Sequence, residues 1–340
     1  MNKLTIIIFS FLVSLFFFGC NTDFDANGEY KEQMAVYCIL DKNADTTFVR
    51  IEKCFWGSAN AMTYAQNKDS IYYNDGELEV KLYAYSYNDT INAKKTYDFS
   101  YIIKSKNDGD FYSGNDVPLY YCITKNQLQE HQFYKLKILN KKTGLEVWAS
   151  TYMVEDFSLQ ADNLLFKSNN NYSTHLYDIK ELKWTGYNNS SSPEVCRAKY
   201  FQMKLVFNYG KNNSTELDSV SIPVLTRSFT GFTPRENNSS ITIYDIVKQI
   251  ADKLQGENKI RLPYIRNFVF YLYGANKDMT DYISINNSLQ NTLNYKPMYS
   301  NIHNGFGLFA SANTETKVID MQGVDPNLWT ELNHYVEIGQ

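Results

Sequence analysis

From Tyr30 to Met153 apolar and polar residues alternate in short runs. The runs are Met34–Leu40, Thr46–Phe55, Glu77–Ser86, Thr96–Lys104, Leu119–Lys125, Phe133–Asn140 and Leu145–Met153. A period of two puts successive side chains on opposite faces of a strand, so each run predicts a strand with one buried face. Turn dipeptides separate them: Asp75-Gly76, Asp108-Gly109 and Thr143-Gly144. Short strands at this spacing predict an antiparallel sandwich over residues 31–154.

The pattern changes near Glu155. A Ser-rich stretch, Asn188-Asn189-Ser190-Ser191-Ser192-Pro193, reads as an exposed loop. Phe201, Met203, Leu205 and Phe207 share one face of a strand over Tyr200–Asn208, and Val220–Thr226 and Phe268–Tyr273 also read as strands. Ile243, Ile246, Val247, Ile250 and Leu254 fall at helical spacing and stop before Gly256. Thr280 is a candidate cap for a second helix running to about Gln290. Asp325-Pro326 has the form of a cap and first helical residue for a short helix around Trp329. Residues 155–340 therefore read as a β-rich α+β region.

The first twenty residues, MNKLTIIIFSFLVSLFFFGC, follow a different rule. Lys3 is followed by an apolar stretch from Leu4 to Phe18, and Gly19 sets a small residue before Cys20. This is the anatomy of a signal peptide, and the stretch is shorter than the roughly 20 residues that span a bilayer. Phe17-Phe18-Gly19-Cys20 resembles a bacterial lipobox, with Phe17 where Leu is commonest and Phe18 where a small residue is usual. The resemblance implies cleavage of residues 1–19, a thioether to diacylglycerol on Cys20, and acylation of the new amine. More than one acyl chain gives stable membrane anchoring where one is marginal. Residues 20–30 then form a tether. Asp23 and Asp25 within it resemble acidic signals that send lipoproteins to the cell surface. Asp23, Asp25, Asn27 and Gly28 also match the first half of a calcium loop, but Met34 stands where the bidentate Glu belongs. A solvated tether is the better reading.

The chain has 340 residues and a net charge of −4, which becomes −5 if cleavage removes Lys3 with the leader. No long basic block exists, which argues against nucleic-acid binding. Aromatics reach 16%, with 28 Tyr, and suit pleated half-buried surfaces. Of the five cysteines, Cys20 is accounted for; Cys38, Cys54, Cys122 and Cys196 show no Cys-x-x-Cys or zinc spacing. Cys38 lies in phase with Val36 and Leu40, and Cys54 lies out of phase with Val49 and Ile51, against a bridge between them. Other pairings stay open.

Motifs that carry chemistry are sparse. His131, His175, His303 and His334 are far apart, and neither a Gly-x-Ser-x-Gly elbow nor a Walker loop is present. Gly305-Phe306-Gly307-Leu308-Phe309-Ala310 matches a dinucleotide fingerprint without the strand before it or the helix after it. It reads as a turn at Asn304-Gly305 leading into a strand. Asp108, Asp110, Asn115 and Asp116 gather around two glycines, which is ordinary turn chemistry as well as calcium chemistry. Cys54-Phe55-Trp56-Gly57 sets aromatics at a strand end, as a plug or a stacking surface. Asp45-Thr46, Asp69-Ser70, Asp89-Thr90 and Asp218-Ser219, each followed by Thr47, Ile71, Ile91 and Val220, resemble acceptors of bacterial O-glycosylation.

Several stretches together carry a family resemblance. They are the lipobox Cys20, the early strand Met34-Ala-Val-Tyr-Cys-Ile-Leu, the hairpin Tyr134-x-Leu136-x-Ile138 with Thr143-Gly144, the strand Phe201–Phe207, and Tyr299-Ser-Asn-Ile-His-Asn-Gly-Phe-Gly-Leu-Phe309. In these the chain resembles Bacteroidota surface lipoproteins of unknown function, often encoded beside TonB-dependent receptors. The resemblance implies an outer-membrane location facing the cell exterior and a receptor partner. It supplies no catalytic residues, cofactor or metal. The expectation is a mainly β fold: an N-terminal antiparallel β-sandwich, immunoglobulin- or transthyretin-like, then the α+β region. The expected function is binding or accessory work in TonB-dependent uptake rather than catalysis. A surface adhesin or matrix component and a hydrolase with a dispersed site are the alternatives.

Overall fold

The structure, a computed structural model, describes residues 31–54, 67–86, 88–105, 116–130, 132–160, 179–186, 197–211, 217–231, 233–254, 260–261, 267–288, 298–320 and 338–339. The chain is mainly β, as the alternation predicts. Its centre is a long sheet in which β12 (Leu217–Ser228), β11 (Tyr200–Lys211), β15 (Asn267–Ala275), β16 (Gly305–Asp320), β1 (Met34–Asp41), β2 (Thr46–Lys53), β6 (Asp116–Ile123) and β5 (Ser100–Ser105) lie side by side. Two short strands, β14 (Ile260–Arg261) and β17 (Ile338–Gly339), extend the edge of β11. A second sheet orders β4 (Lys95–Asp98), β3 (Leu78–Ser86), β7 (Gln132–Asn140) and β8 (Glu146–Tyr152). A third orders β13 (Glu236–Thr242), β10 (Ile179–Thr185) and β9 (Leu159–Gln160).

The sixteen-residue strand β16 joins the two halves. Its first half pairs in parallel with β1, Met34 opposite Gly305 through Asp41 opposite Ala312. Its second half pairs antiparallel with β15, Ala275 opposite Ala312 through Asn267 opposite Asp320. Phe309 and Ile319 lie an even number of positions apart, so both point to the same side of the sheet. Phe309 joins a core with Val36, Leu40, Leu82, Leu136 and Val147 from the four-stranded sheet and its partners. Ile319 joins another with Trp184, Phe201, Phe207 and Phe270, closed by α2 (Ile243–Leu254) through Ile246, Val247 and Ile250. The two cores divide close to Val154, while the main sheet runs across that point without interruption. On the opposite face α3 (Lys277–Ser288) packs on β16, and Tyr282 meets Tyr37 edge-on at 6.5 Å.

Two local readings change. The strand predicted over Thr96–Lys104 is two strands in different sheets. The chain crosses between layers at Phe99, whose N–H donates to the Val80 carbonyl (3.1 Å) while its side chain packs on the core. Strands switch sheets at corners in this way. The cap of α3 is Asn276, whose Oδ1 accepts from the Met279 N–H at 3.4 Å. Thr280 sits inside the first turn, its hydroxyl donating to the Asn276 carbonyl. A second strong cap residue four positions early wins because Lys277 and Asp278 follow it directly, with Asp278 in the first turn. The predicted helix ending before Gly256 is α2, and Gly76 and Gly144 both sit at φ +76° in their turns. The short α1 (Lys68–Ile71) is capped by Asn67. Among the described residues no helix is long and apolar enough to cross a membrane.

Candidate functional site

Outward positions of the four-stranded sheet should be polar if that face were only solvated. They are not. Tyr85, Phe133 and Tyr152 occupy the outward phase of three neighbouring strands, and their rings form a ladder with centroids 5.9 and 4.9 Å apart. The ladder ends at Arg197, whose guanidinium lies 3.8 Å from the Tyr152 ring centroid. On the same face Trp148 stacks on His303 at 3.7 Å, with Lys135 Nζ 4.3 Å from its ring centroid.

The ladder leads into a hollow of about 330 Å³ where β8, residues 197–199 and the start of α3 meet. Its walls are Phe133, Ser150, Thr151, Tyr152, Arg197, Lys199 and Asn276 to Asp278. Each wall is fixed from behind. Glu155 is fully buried; its Oε1 lies 3.2 Å from Arg197 Nε, and its Oε2 accepts the Arg197 backbone N–H at 2.8 Å. A buried carboxylate without such a partner would be strongly destabilising. Asn276 Nδ2 donates to Thr151 Oγ1 and to Asp278 Oδ2, both at 2.8 Å. Tyr299 donates to Asp278 Oδ1 at 2.6 Å, and burial together with that carboxylate pushes the phenol well above its ordinary value. Lys199 Nζ donates to Thr233 Oγ1 at 3.2 Å. Ser311 Oγ donates to the Tyr152 carbonyl at 2.6 Å, tying the hollow to β16.

A neighbouring polar belt holds the two halves together. Lys42 donates to both oxygens of Asp156 (2.6 and 2.7 Å), and Asn313 donates to Asp156 Oδ1 at 2.7 Å. A larger hollow of about 460 Å³ lies against β10 and β13, with Gln160, Lys183, Thr185, Glu236 and Asn238 on its walls. Among the described residues the ring there is Trp184, which is 1% exposed, so it gives a ligand no face to rest on. The seam hollow combines rings with charge, as small-molecule sites do, and it is larger than a third hollow of about 200 Å³ beside Lys68, Tyr72, Tyr101 and Asp116 that also does so.

The stretch Tyr299–Phe309 frames this region. Asn301 presents its carboxamide to β16, donating to the Phe309 carbonyl at 2.8 Å and accepting its N–H at 2.9 Å. His303 exchanges backbone hydrogen bonds with Trp148 at 2.8 and 3.3 Å. Asn304 turns the chain at φ +59°, and β16 begins at Gly305. Gly307 lies at φ +119° with the Val36 carbonyl against it; an added Cβ would sit 2.0 Å from that oxygen. The glycines of the apparent nucleotide fingerprint therefore serve a turn and a close strand pairing.

Cys20, Asp23 and Asp25 lie outside the described residues, as do His131, His175, His334, Asp108, Asp110, Asn115, Cys196 and Phe55-Trp56-Gly57. Asp116 pairs with Lys68 at 3.6 Å. Cys38, Cys54 and Cys122 are free thiols, and burial raises all three above the ordinary value. Among the described residues no three His, Cys, Asp or Glu gather as a metal site. Of the glycosylation-like triplets, Thr90 and Ser219 are exposed, and Thr46 and Ser70 are partly covered. Comparison with models of known protein families finds none that matches the chain, and comparison with curated proteins likewise finds no match.

The hollow draws on residues more than a hundred positions apart, so no local motif announces it. One signal was available: Phe133 and Tyr152 stand at outward phases where alternation calls for polar residues.

Proposed function

We propose that the chain is an outer-membrane lipoprotein, held by lipid on Cys20 and facing the cell exterior, that binds a small ligand on behalf of a TonB-dependent uptake receptor. The observation that carries the binding half is the seam hollow, with its aromatic ladder and its cations on a protein of net charge −4. The location rests on the leader, the lipobox-like Phe17-Phe18-Gly19-Cys20 and the acidic pair Asp23 and Asp25. The receptor rests on the resemblance carried by Tyr299–Phe309 and the early strand. Exposed apolar side chains on the outer face of the main sheet, Ile39, Phe48 and Ile123, are of the kind that protein contacts cover.

A binder is preferred over a hydrolase for a chemical reason. Ser150 and Thr151, the aliphatic hydroxyls of the hollow, have no hydrogen bond to a histidine or carboxylate among the described residues. Neither has a base placed to activate it. The test is co-purification. Tagged protein solubilised from membranes in mild detergent should bring down an outer-membrane receptor. Recovery of none, together with altered adhesion in a deletion strain, would move the reading to an adhesin.

A further inference from the structure

We propose that the seam hollow takes a small organic anion, its charged group on Lys199 and its ring against Phe133 and Tyr152. This rests on the binding reading above and names its ligand class.

The charges of the lining decide it. Arg197 is compensated by the fully buried Glu155 behind it. Lys277 pairs with Asp281, and Asp278 accepts from both Asn276 and Tyr299. Lys199 alone is left without a counter-charge: it is half-buried and its ammonium meets only the Thr233 hydroxyl, with no carboxylate in ion-pair range among the described residues. An ammonium has three protons to place, and partial burial without an anion is costly. With Arg197 and Lys277 each answered by a carboxylate, Lys199 is the one lining cation left over among the described residues, on a protein whose net charge is −4. An unanswered ammonium at the wall of a hollow draws anions. Ser150 supplies a further hydroxyl on the same wall.

The rest of the ligand is set by the rings. Phe133 and Tyr152 pack on each other at 57° with centroids 4.9 Å apart, and the side of the pair left open to the hollow is an apolar surface for a ring to lie against. The volume of about 330 Å³ stands near the lower end of the roughly 300–1,000 Å³ of small-molecule sites. A single ring-bearing acid fits this description, whether an aromatic acid or a sugar acid.

Calorimetric titration of the purified mature chain separates these. The probes are benzoate and D-galacturonate, each beside its neutral counterpart, benzamide and D-galactose. At least one acid should bind, about tenfold or more tighter than its neutral partner, and weaken as salt is added. Lys199→Gln, which keeps a polar partner for Thr233, should erase the preference; Lys81→Gln on the four-stranded sheet should not. Salt dependence is read on the unaltered protein, so it survives a variant that folds poorly. Which acid binds identifies the source. Equal binding of acid and neutral partner, no binding of either acid, or an unchanged preference in Lys199→Gln would each overturn the proposal. Neutral compounds binding as well as acids would leave the binding reading standing, whereas failure to recover a receptor bears on that reading and not on the ligand class.

Discussion

A methyl group at position 307 has nowhere to go. The Val36 carbonyl lies 2.0 Å from where it would sit, and the φ of +119° is one that only glycine adopts readily. Gly307→Ala should therefore cost at least about 2 kcal/mol, read as a drop in the urea midpoint. An unchanged midpoint would mean that β1 and β16 do not approach as closely as the structure has them. Titration gives a second check at this scale. Burial pushes the Cys38 thiol far above its ordinary 9.0, and it pushes the phenols of Tyr120 and Tyr134 up as well. Below the unfolded value both states hold the proton, so the contribution is complete. Above it the unfolded chain ionises while the folded one does not, and stability falls as pH rises. The urea midpoint should decline from about pH 8 to about pH 10, less steeply in Cys38→Ala; a flat profile would contradict a buried thiol. Much at this scale was legible in the sequence, including the inward phase of Cys38 and the turns at Gly76 and Gly144. The partners of Lys199 and Glu155 were not, because alternation records which face a side chain takes and nothing about what meets it there.

Most of the longer strands were readable one by one, β10 and β13 excepted, and their partners were not. The period of two reports burial on one face, and it is blind to which edge lies alongside. Nothing in Met34–Leu40 says that its neighbour is Gly305–Ala312, running parallel, rather than another strand of its own half. The split at Phe99 escaped for a similar reason, since one unbroken alternating run serves two sheets when the chain turns a corner. Asn301 is the device that finishes the free edge of β16. Its carboxamide stands in for a neighbouring strand at Phe309, which is 0% exposed. Removing it leaves a buried N–H and a buried carbonyl unpaired, at roughly 1–3 kcal/mol each. Asn301→Ala should lower the melting temperature by several degrees and speed amide exchange at Phe309, while Asn301→Asp should recover part of the loss. If exchange at Phe309 stays slow in the alanine variant, another group closes this edge.

At the scale of the molecule the pattern of elements predicts two regions, 31–154 and 155–340; the buried residues form two clusters, and the one built mostly from residues 34–153 also takes Ile302 and Phe309 from the second region. The sheet does not divide between those regions. A fragment of residues 31–154 lacks β16, so the edge of β1 is open and Ile302 and Phe309 are missing from its core. Loss of a buried Phe alone removes roughly 3–5 kcal/mol, against a total of roughly 5–15 kcal/mol for a typical domain. The fragment should show no cooperative unfolding transition, and a sharp one near that of the whole chain would contradict the architecture. The candidate site belongs to this scale too, since its walls come from both sides of residue 155 and exist only when the halves are joined.

The functional account depends on where this body is held. A binder serving a receptor must sit at the outer membrane, and Cys20 is the residue that would keep it there. Following processing and palmitate labelling in globomycin-treated cells tests this most directly. The account predicts that a precursor retaining residues 1–19 accumulates, and that Cys20→Ala carries no label. Unchanged processing under globomycin, with label absent from the unaltered protein, would contradict it.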